Sequence, residues 1–203
     1  MKAFTREIKI CLLVFAVSAL AGCATKVTRV ETAQKIDISG EWNDYDAMLV
    51  SQELIKNCLQ SAWLNSFTGK NKRPPTVIVS DVTNRSDEHL NTQVFINDLE
   101  KDLTNSGKVI FVVSPEEREQ IRGEREDQQR GYTSTETKKP IGKETGADFM
   151  LIGSLNAVKD AAKNKSVVLY QVNLEMIDLT TNEKVWIGQK EIKKQIDRPR
   201  VSL

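Results

Sequence analysis

The chain has 203 residues and carries 29 Lys and Arg against 28 Asp and Glu, which gives a formal net charge of +1. This balance argues against a nucleic-acid-binding protein, because such a protein shows a basic excess. With 39% apolar residues, the chain is long enough to form one domain with its own core.

The first segment, residues 1–22, has the layout of a secretory signal. Its basic head leads into an uncharged run over residues 10–22 that ends in small residues. A membrane-spanning helix needs about 20 apolar residues, and this run is shorter. The pattern is typical of a cleaved signal peptide. Its removal takes three basic residues and one acidic residue and brings the net charge to about −1.

The tetrapeptide LAGC at residues 20–23 predicts a lipid anchor on Cys23. It resembles the bacterial lipobox, in which the cysteine thiol is acylated and the preceding bond is cut. The new amine is then acylated as well. Each buried methylene adds about 0.8 kcal/mol to membrane binding, so three acyl chains hold a domain on the bilayer. Ala24, where some lipoproteins have aspartate, resembles the signal for export to the outer membrane, facing the periplasm. The alternative is an ordinary signal peptide with a chance cysteine.

Cysteine use agrees with export. Cys11 leaves with the signal, Cys23 carries the lipid and only Cys58 remains, so the fold depends on its core and not on an internal disulfide. Cys58 lies in an apolar helical pattern, which predicts a buried thiol. A reactive or intermolecular thiol is the alternative.

The polar stretch that follows the signal predicts a lipidated N-terminus and flexible tether over residues 23–41, with a globular domain over 42–203. A helix is predicted over 44–63, because its apolar residues fall near one face. Gly69 and the following pair of prolines predict a loop.

The middle of the chain alternates strands and helices. The β-branched run 76–82 predicts a strand, and a helix with apolar residues every fourth position ends at Gly107. The apolar run 109–113 predicts a strand covered on both faces.

The next predicted helix has a strong N-terminal capping signal but few apolar residues to bury. Ser114, Pro115 and Glu117 form a capping box with proline in the first turn. From residue 118 to 130 only Ile121 is apolar, so we expect a solvated helix. Residues 140–145 are predicted to form a short helical turn.

Three strands are predicted in the last third, over residues 149–158, 167–177 and 184–192. Strict alternation in the second indicates one packed and one wet face. The order α-β-α-β-α-β-β-β predicts an α+β fold, a mixed β-sheet flanked by helices that ends in an antiparallel meander.

No catalytic, metal or cofactor site is predicted. His89 is the only histidine and has no cysteine pair nearby, whereas a zinc site needs three or four ligands. No G-x-S-x-G elbow or phosphate-binding loop occurs. We therefore expect a protein that works by binding and has no enzymatic activity.

The solvated helix and the loop after it are the candidate partner-binding surface. Arginine and tyrosine are favoured at interfaces, and a polar segment that cannot bury itself is available to a partner. The alternative is an ordinary solvated surface. The candidate residues are Arg122, Arg125, Arg130, Tyr132, Lys138 and Lys139.

Five collinear stretches resemble the penicillin-binding-protein activators of the LpoB family. They are WNDYDAMLV (42–50), VIVSDVTNRS (77–86), LTNSGKVIFV (103–112), ETGADFMLIG (144–153) and EKVWIG (183–188). The resemblance implies an outer-membrane lipoprotein whose domain is similar to the N-terminal domain of TolB. It also implies docking on an accessory domain of a bifunctional (class A) penicillin-binding protein, which stimulates glycan polymerisation and peptide cross-linking.

The tether departs from the family pattern, because the best-known members carry a long, proline-rich tether. Here about 17 residues precede Trp42, and none is proline. A second function is the alternative. The same domain could serve as a structural or assembly lipoprotein of a cell-envelope complex.

Overall fold

The computed structural model describes residues 27–32 and 34–197. The chain divides into two units, Met1–Gln34 and Lys35–Leu203. In the first unit, the described residues are exposed and form one turn, in which the Gln34 N–H donates to the Glu31 carbonyl (3.0 Å). The predicted signal peptide and Cys23 lie outside the described residues.

The second unit alternates helices and strands and then ends in three long strands. The described elements are α1 (Asp44–Gln60), α2 (Ala62–Asn71), β1 (Thr76–Arg85), α3 (Thr92–Asn105), β2 (Ile110–Phe111), α4 (Pro115–Asp127), a π-helical turn (Gln128–Tyr132), β3 (Phe149–Ala162), β4 (Lys165–Asp178) and β5 (Lys184–Asp197).

The five strands form one mixed sheet in the order β2-β1-β3-β4-β5. Strand β1 runs parallel to both β2 and β3, whereas β3, β4 and β5 pair antiparallel in chain order. Helices α1 and α3 contact each other, and they reach the sheet at β5 and β1. The predicted α+β fold with a mixed sheet and a closing antiparallel meander is confirmed.

The core lies on one face of β4. Every second residue from Val168 to Met176 is buried, which matches the predicted period of two. Cys58 of α1 joins this core and is buried as predicted. Its burial raises the pKa of the thiol to about 12.

The single helix predicted over 44–63 is two helices. Helix α1 starts at a capping box in which Asn43 and Asp46 each accept a hydrogen bond from the other's backbone N–H. It ends before Ser61, whose backbone is extended (ψ 155°) and whose hydroxyl donates to the Asn57 carbonyl (2.7 Å).

Helix α2 continues through Gly69, where the sequence predicts a loop. The Thr68 hydroxyl donates to the Leu64 carbonyl, and the Asn71 amide donates to the Phe67 carbonyl (3.0 Å). These bonds extend the helix to Asn71, and Lys72 ends it in the left-handed conformation (φ 55°).

The prediction of a doubly covered strand over 109–113 is wrong. Strand β2 contains only Ile110 and Phe111 and forms the edge of the sheet, paired with β1 alone. Val109 is buried, but Ile110 and Val113 are exposed. An apolar run is equally consistent with a short edge strand, which is why composition alone misplaced it. The predicted helical turn at 140–145 is also absent from the described residues, which form a plain turn containing Gly142 (φ 78°).

Residues 35–41, which the sequence assigns to the flexible tether, contact strand β5 instead. The ammonium group of Lys194 is buried and lies 3.1 Å from the Asp37 carboxylate and 2.5 Å from the Asp46 carboxylate. The same group donates to the Glu41 carbonyl (2.7 Å). This buried ion cluster holds the entry of the chain against the last strand.

Candidate functional site

The candidate site is the arm, defined here as residues 115–147: helix α4, the π-helical turn and the loop that returns to β3. Helix α4 buries none of its residues, which confirms the solvated helix predicted from sequence. Its start is the predicted capping box, in which the Ser114 and Glu117 side chains each bond the other's backbone. The arm is thus anchored where it leaves β2, and its length is exposed.

A carboxylate on the returning loop closes the arm on itself. Arg122 donates two hydrogen bonds to Glu144, at 3.0 and 2.9 Å, and Arg125 donates one at 2.8 Å. Arg122 also contacts Glu119 on the preceding helical turn (2.6 Å). The paired geometry of Arg122 and Glu144 fixes orientation as well as distance, because a guanidinium matches a carboxylate at two points.

The electrostatics of Glu144 follow from these contacts. The hydrogen bonds from Arg122 lower the pKa of Glu144 to about 2; desolvation opposes them, and the hydrogen bond from Arg125 adds a smaller lowering effect. The same pairing raises the pKa of Arg122. The carboxylate therefore stays ionised, and remains able to pair with both arginines, across the physiological pH range.

A second pair of contacts ties the turn to the loop. The Gln128 side chain accepts from the Lys139 backbone N–H, and the Gln129 side chain donates to the Lys139 carbonyl, both at 2.9 Å. Between them the chain reverses at Gly131, whose φ of 96° strongly favours glycine.

The structure divides the six predicted partner-binding residues into two groups. Arg122 and Arg125 meet at Glu144 and brace the arm. Tyr132 is 89% exposed, and Arg130 has only a loose contact with Asp127 (3.7 Å). Lys138 and Lys139 are exposed, and neither ammonium forms an ion pair among the described residues. Ile141, two residues after Lys139, is an exposed apolar side chain.

Glu144 is the functional residue that sequence reasoning missed. It stands 22 residues after Arg122, too far for a helical pairing rule. Its only signal was its position at the start of the stretch ETGADFMLIG.

His89 is exposed in the loop between β1 and α3. Among residues 27–32 and 34–197, no group of His, Cys, Asp and Glu is arranged to hold a metal ion. None of the helices in this part of the chain is long and apolar enough to cross a membrane.

The sequence profile of the peptidoglycan-synthase activator LpoB matches residues 46–192. This chain belongs to the LpoB family. The LpoB family consists of cell-envelope lipoproteins that act as regulators and not as catalysts, and membership implies a peptidoglycan synthase as partner. The match covers α1 through most of β5 and includes the whole arm.

Solved structures similar to this chain include LpoB domains. The LpoB C-terminal domain from Salmonella enterica is 20% identical, covers 73% of this chain and 98% of its own, and has a TM-score of 0.41. The corresponding Escherichia coli domain is 16% identical, covers 70% and 96%, and has a TM-score of 0.37. Lipoprotein GNA1162 from Neisseria meningitidis is 14% identical, covers 60% and 84%, and has a TM-score of 0.38. No curated protein matches the chain.

Proposed function

We propose that this protein is a non-catalytic outer-membrane lipoprotein that binds a class A penicillin-binding protein and stimulates it. The observation that carries the proposal is membership of the LpoB family over residues 46–192. The lipobox at 20–23 supports an anchor on Cys23 after removal of residues 1–22, with the domain facing the periplasm. Neither nucleic acid nor a cofactor has a role in this proposal.

The arm is the proposed docking surface for the synthase. Its outer residues, Arg130, Tyr132, Lys138 and Lys139, are exposed and supply three cations and an aromatic ring. Arg122 and Arg125 support them from behind through Glu144. A braced surface loses less conformational freedom on binding than a mobile loop, so more of its contact energy appears as affinity.

Stimulation follows from differential binding. A partner can shift an enzyme toward an active conformation only by the amount that it binds that conformation more tightly. Coupling of this kind is typically worth 1–3 kcal/mol, or roughly 5–150-fold in the equilibrium. The protein therefore needs no catalytic group of its own.

The contacts of residues 35–41 with β5 shorten the proposed tether. If Cys23 carries the lipid, residues 24–34 connect it to the second unit, which begins at Lys35. About 11 extended residues reach at most ~37 Å. We infer that the domain stays near the membrane surface and that the synthase must extend toward it.

The test is binding between the purified full chain in detergent and a purified class A penicillin-binding protein from the same cell. Replacing Arg130, Tyr132, Lys138 and Lys139 with alanine should weaken binding by at least about tenfold. The control removes three positive charges elsewhere, with Lys70, Arg85 and Lys159 replaced by alanine, and should change binding less than about threefold.

Two outcomes would contradict this proposal. Equal losses in both variants would show that binding depends on net charge and not on the arm. Failure of the wild-type chain to bind any class A synthase, with retention of other envelope proteins instead, would favour an assembly lipoprotein.

A further inference from the structure

A second surface of the protein is a groove between the middle of β1, helix α3 and the first turn of α4. Its volume is about 460 Å³. An apolar floor is formed by Ile78, Ile96 and Met150. The groove lies where β1 bulges, since its pairing register with β3 shifts between Val79 and Val82.

The walls of this groove are acidic. Asp81 from the bulge, Glu100 from α3 and Glu116 from α4 line it. None of these three carboxylates has a hydrogen-bonding or ionic partner among the described residues. No lysine or arginine lines the groove.

The neighbouring cation does not neutralise these walls. Lys101 lines an adjoining groove of about 330 Å³, which shares Asn97, Glu100 and Glu117 with the first. Its ammonium group is already placed between Asp98 (3.0 Å) and Asp102 (3.6 Å). The adjoining groove continues the apolar floor with Phe111 and Val113.

Glu100 lies in an electrostatically unfavourable position in this groove. Partial burial, followed by the negative charge of Glu117, raises the pKa of Glu100. A positive group placed beside Glu100 would offset both effects.

We propose that this groove binds an extended segment of a partner protein in which lysine or arginine alternates with apolar residues. Successive side chains of an extended chain point to opposite sides, so apolar residues can meet the floor while basic residues reach the walls. The carboxylates come from three separate elements and are not arranged as a metal site among the described residues. Spread-out charge with an apolar base suits a cationic peptide better than a single ion.

This surface is distinct from the outer residues of the arm, and its test does not involve the synthase. The probe is a fluorescein-labelled peptide of about eight residues that alternates lysine and valine, with a glutamate–valine peptide as the negative control. Binding to the full chain is measured by fluorescence anisotropy at low and physiological salt. We expect saturable binding of the lysine peptide that weakens as salt rises.

Two triple variants distinguish binding in the groove from general electrostatic attraction to the protein. Asp81→Asn, Glu100→Gln and Glu116→Gln together should weaken binding about tenfold, as expected for three modest ion pairs. Glu117 is left unchanged because it caps α4. The control, Glu53→Gln, Asp87→Asn and Asp160→Asn, removes the same charge from exposed positions outside the groove and should have less than about a twofold effect.

Equal weakening in the two triple variants would overturn the proposal, because attraction would then depend on net charge alone. Absence of saturable binding to the wild-type chain would overturn it as well. Displacement of the peptide by magnesium far beyond the effect of sodium chloride at equal ionic strength would assign the groove to a cation instead. A failure here would leave the binding of the synthase through the arm untouched.

Discussion

The Glu88 carboxylate accepts a hydrogen bond from the hydroxyl of Tyr170. This bond joins the loop between β1 and α3 to the buried centre of β4. Its other oxygen accepts from the Trp42 backbone N–H (3.1 Å), and the Trp42 ring packs edge-on against Tyr170 at 5.6 Å. One carboxylate thereby fixes the start of the domain to its core.

Removing the Tyr170 hydroxyl should destabilise the protein. In Tyr170→Phe the Glu88 carboxylate loses a partner in a half-buried site, which is expected to cost about 1–3 kcal/mol of unfolding free energy. Urea unfolding followed by tryptophan fluorescence measures the change. The matched control is Tyr132→Phe, whose hydroxyl is exposed, and it should lie within about 0.5 kcal/mol of wild type. Equal effects in the two variants would contradict a role for the bond with Glu88.

The same tyrosine gives the protein an alkaline limit. Burial, followed by the hydrogen bond with Glu88, raises the pKa of Tyr170 above its usual value. The unfolded chain therefore ionises first, and the contribution of Tyr170 is complete below about pH 10 and declines as pH rises further. Urea unfolding at several alkaline pH values should show a loss of stability in wild type that is smaller in Tyr170→Phe.

Lys194 is expected to be the most sensitive charged position in the described part of β5. Lys194→Met would leave the buried Asp46 without its cation, a change that typically costs about 3–5 kcal/mol. The neighbouring Lys193 is exposed, so Lys193→Met should change the unfolding free energy by less than about 0.5 kcal/mol. Thermal unfolding of the two variants in parallel measures this difference. Similar unfolding midpoints would contradict the buried ion cluster around Lys194.

Gly153 of β3 is expected to tolerate no side chain. A methyl group there would lie 2.6 Å from Leu174 Cδ2 and 2.7 Å from the backbone oxygen of Asn173, and the backbone cannot yield cheaply. Gly153→Ala should therefore destabilise the protein by about 1–3 kcal/mol. Gly146→Ala is the control, because nothing lies within 4 Å of the added carbon. An unchanged urea midpoint for Gly153→Ala would show that the sheet is looser than described.

The arm should open only in strong acid. Because the folded pKa of Glu144 is lowered to about 2, its contribution is complete above its unfolded pKa of about 4.3 and is lost as pH falls toward 2. NMR titration of the Glu144 side chain should give this low value in wild type. In the double variant Arg122→Ala, Arg125→Ala it should return toward 4.3. A wild-type pKa near 4.3 would contradict the closed arm.

Much of the fold could be predicted because it depends on local pattern. The capping box at Ser114 and Glu117 and the period of two in β4 both appear in the structure as read from sequence. Edge position cannot be read this way, because an apolar run has the same composition at a sheet edge as at its centre. That ambiguity is why β2 was misplaced.

Long-range polar contacts explain what the sequence could not predict in the site. Glu144 and Glu88 each act on residues distant in the chain, and nothing in their neighbours distinguishes them from surface carboxylates. The burial of Lys194, in contrast, could have been predicted from the sequence. The alternation that buries Trp186 and Gly188 in β5, continued along the strand, places Lys194 on the buried face.

The rate of glycan polymerisation is the direct test of whether this protein activates a peptidoglycan synthase. The measurement uses a purified class A penicillin-binding protein with lipid-linked substrate, with and without the full chain. We expect the rate to rise in a saturable manner with wild type and with the Lys70, Arg85, Lys159 control, but to rise much less with the four-residue arm variant. An unchanged rate at concentrations that saturate binding would contradict this activation.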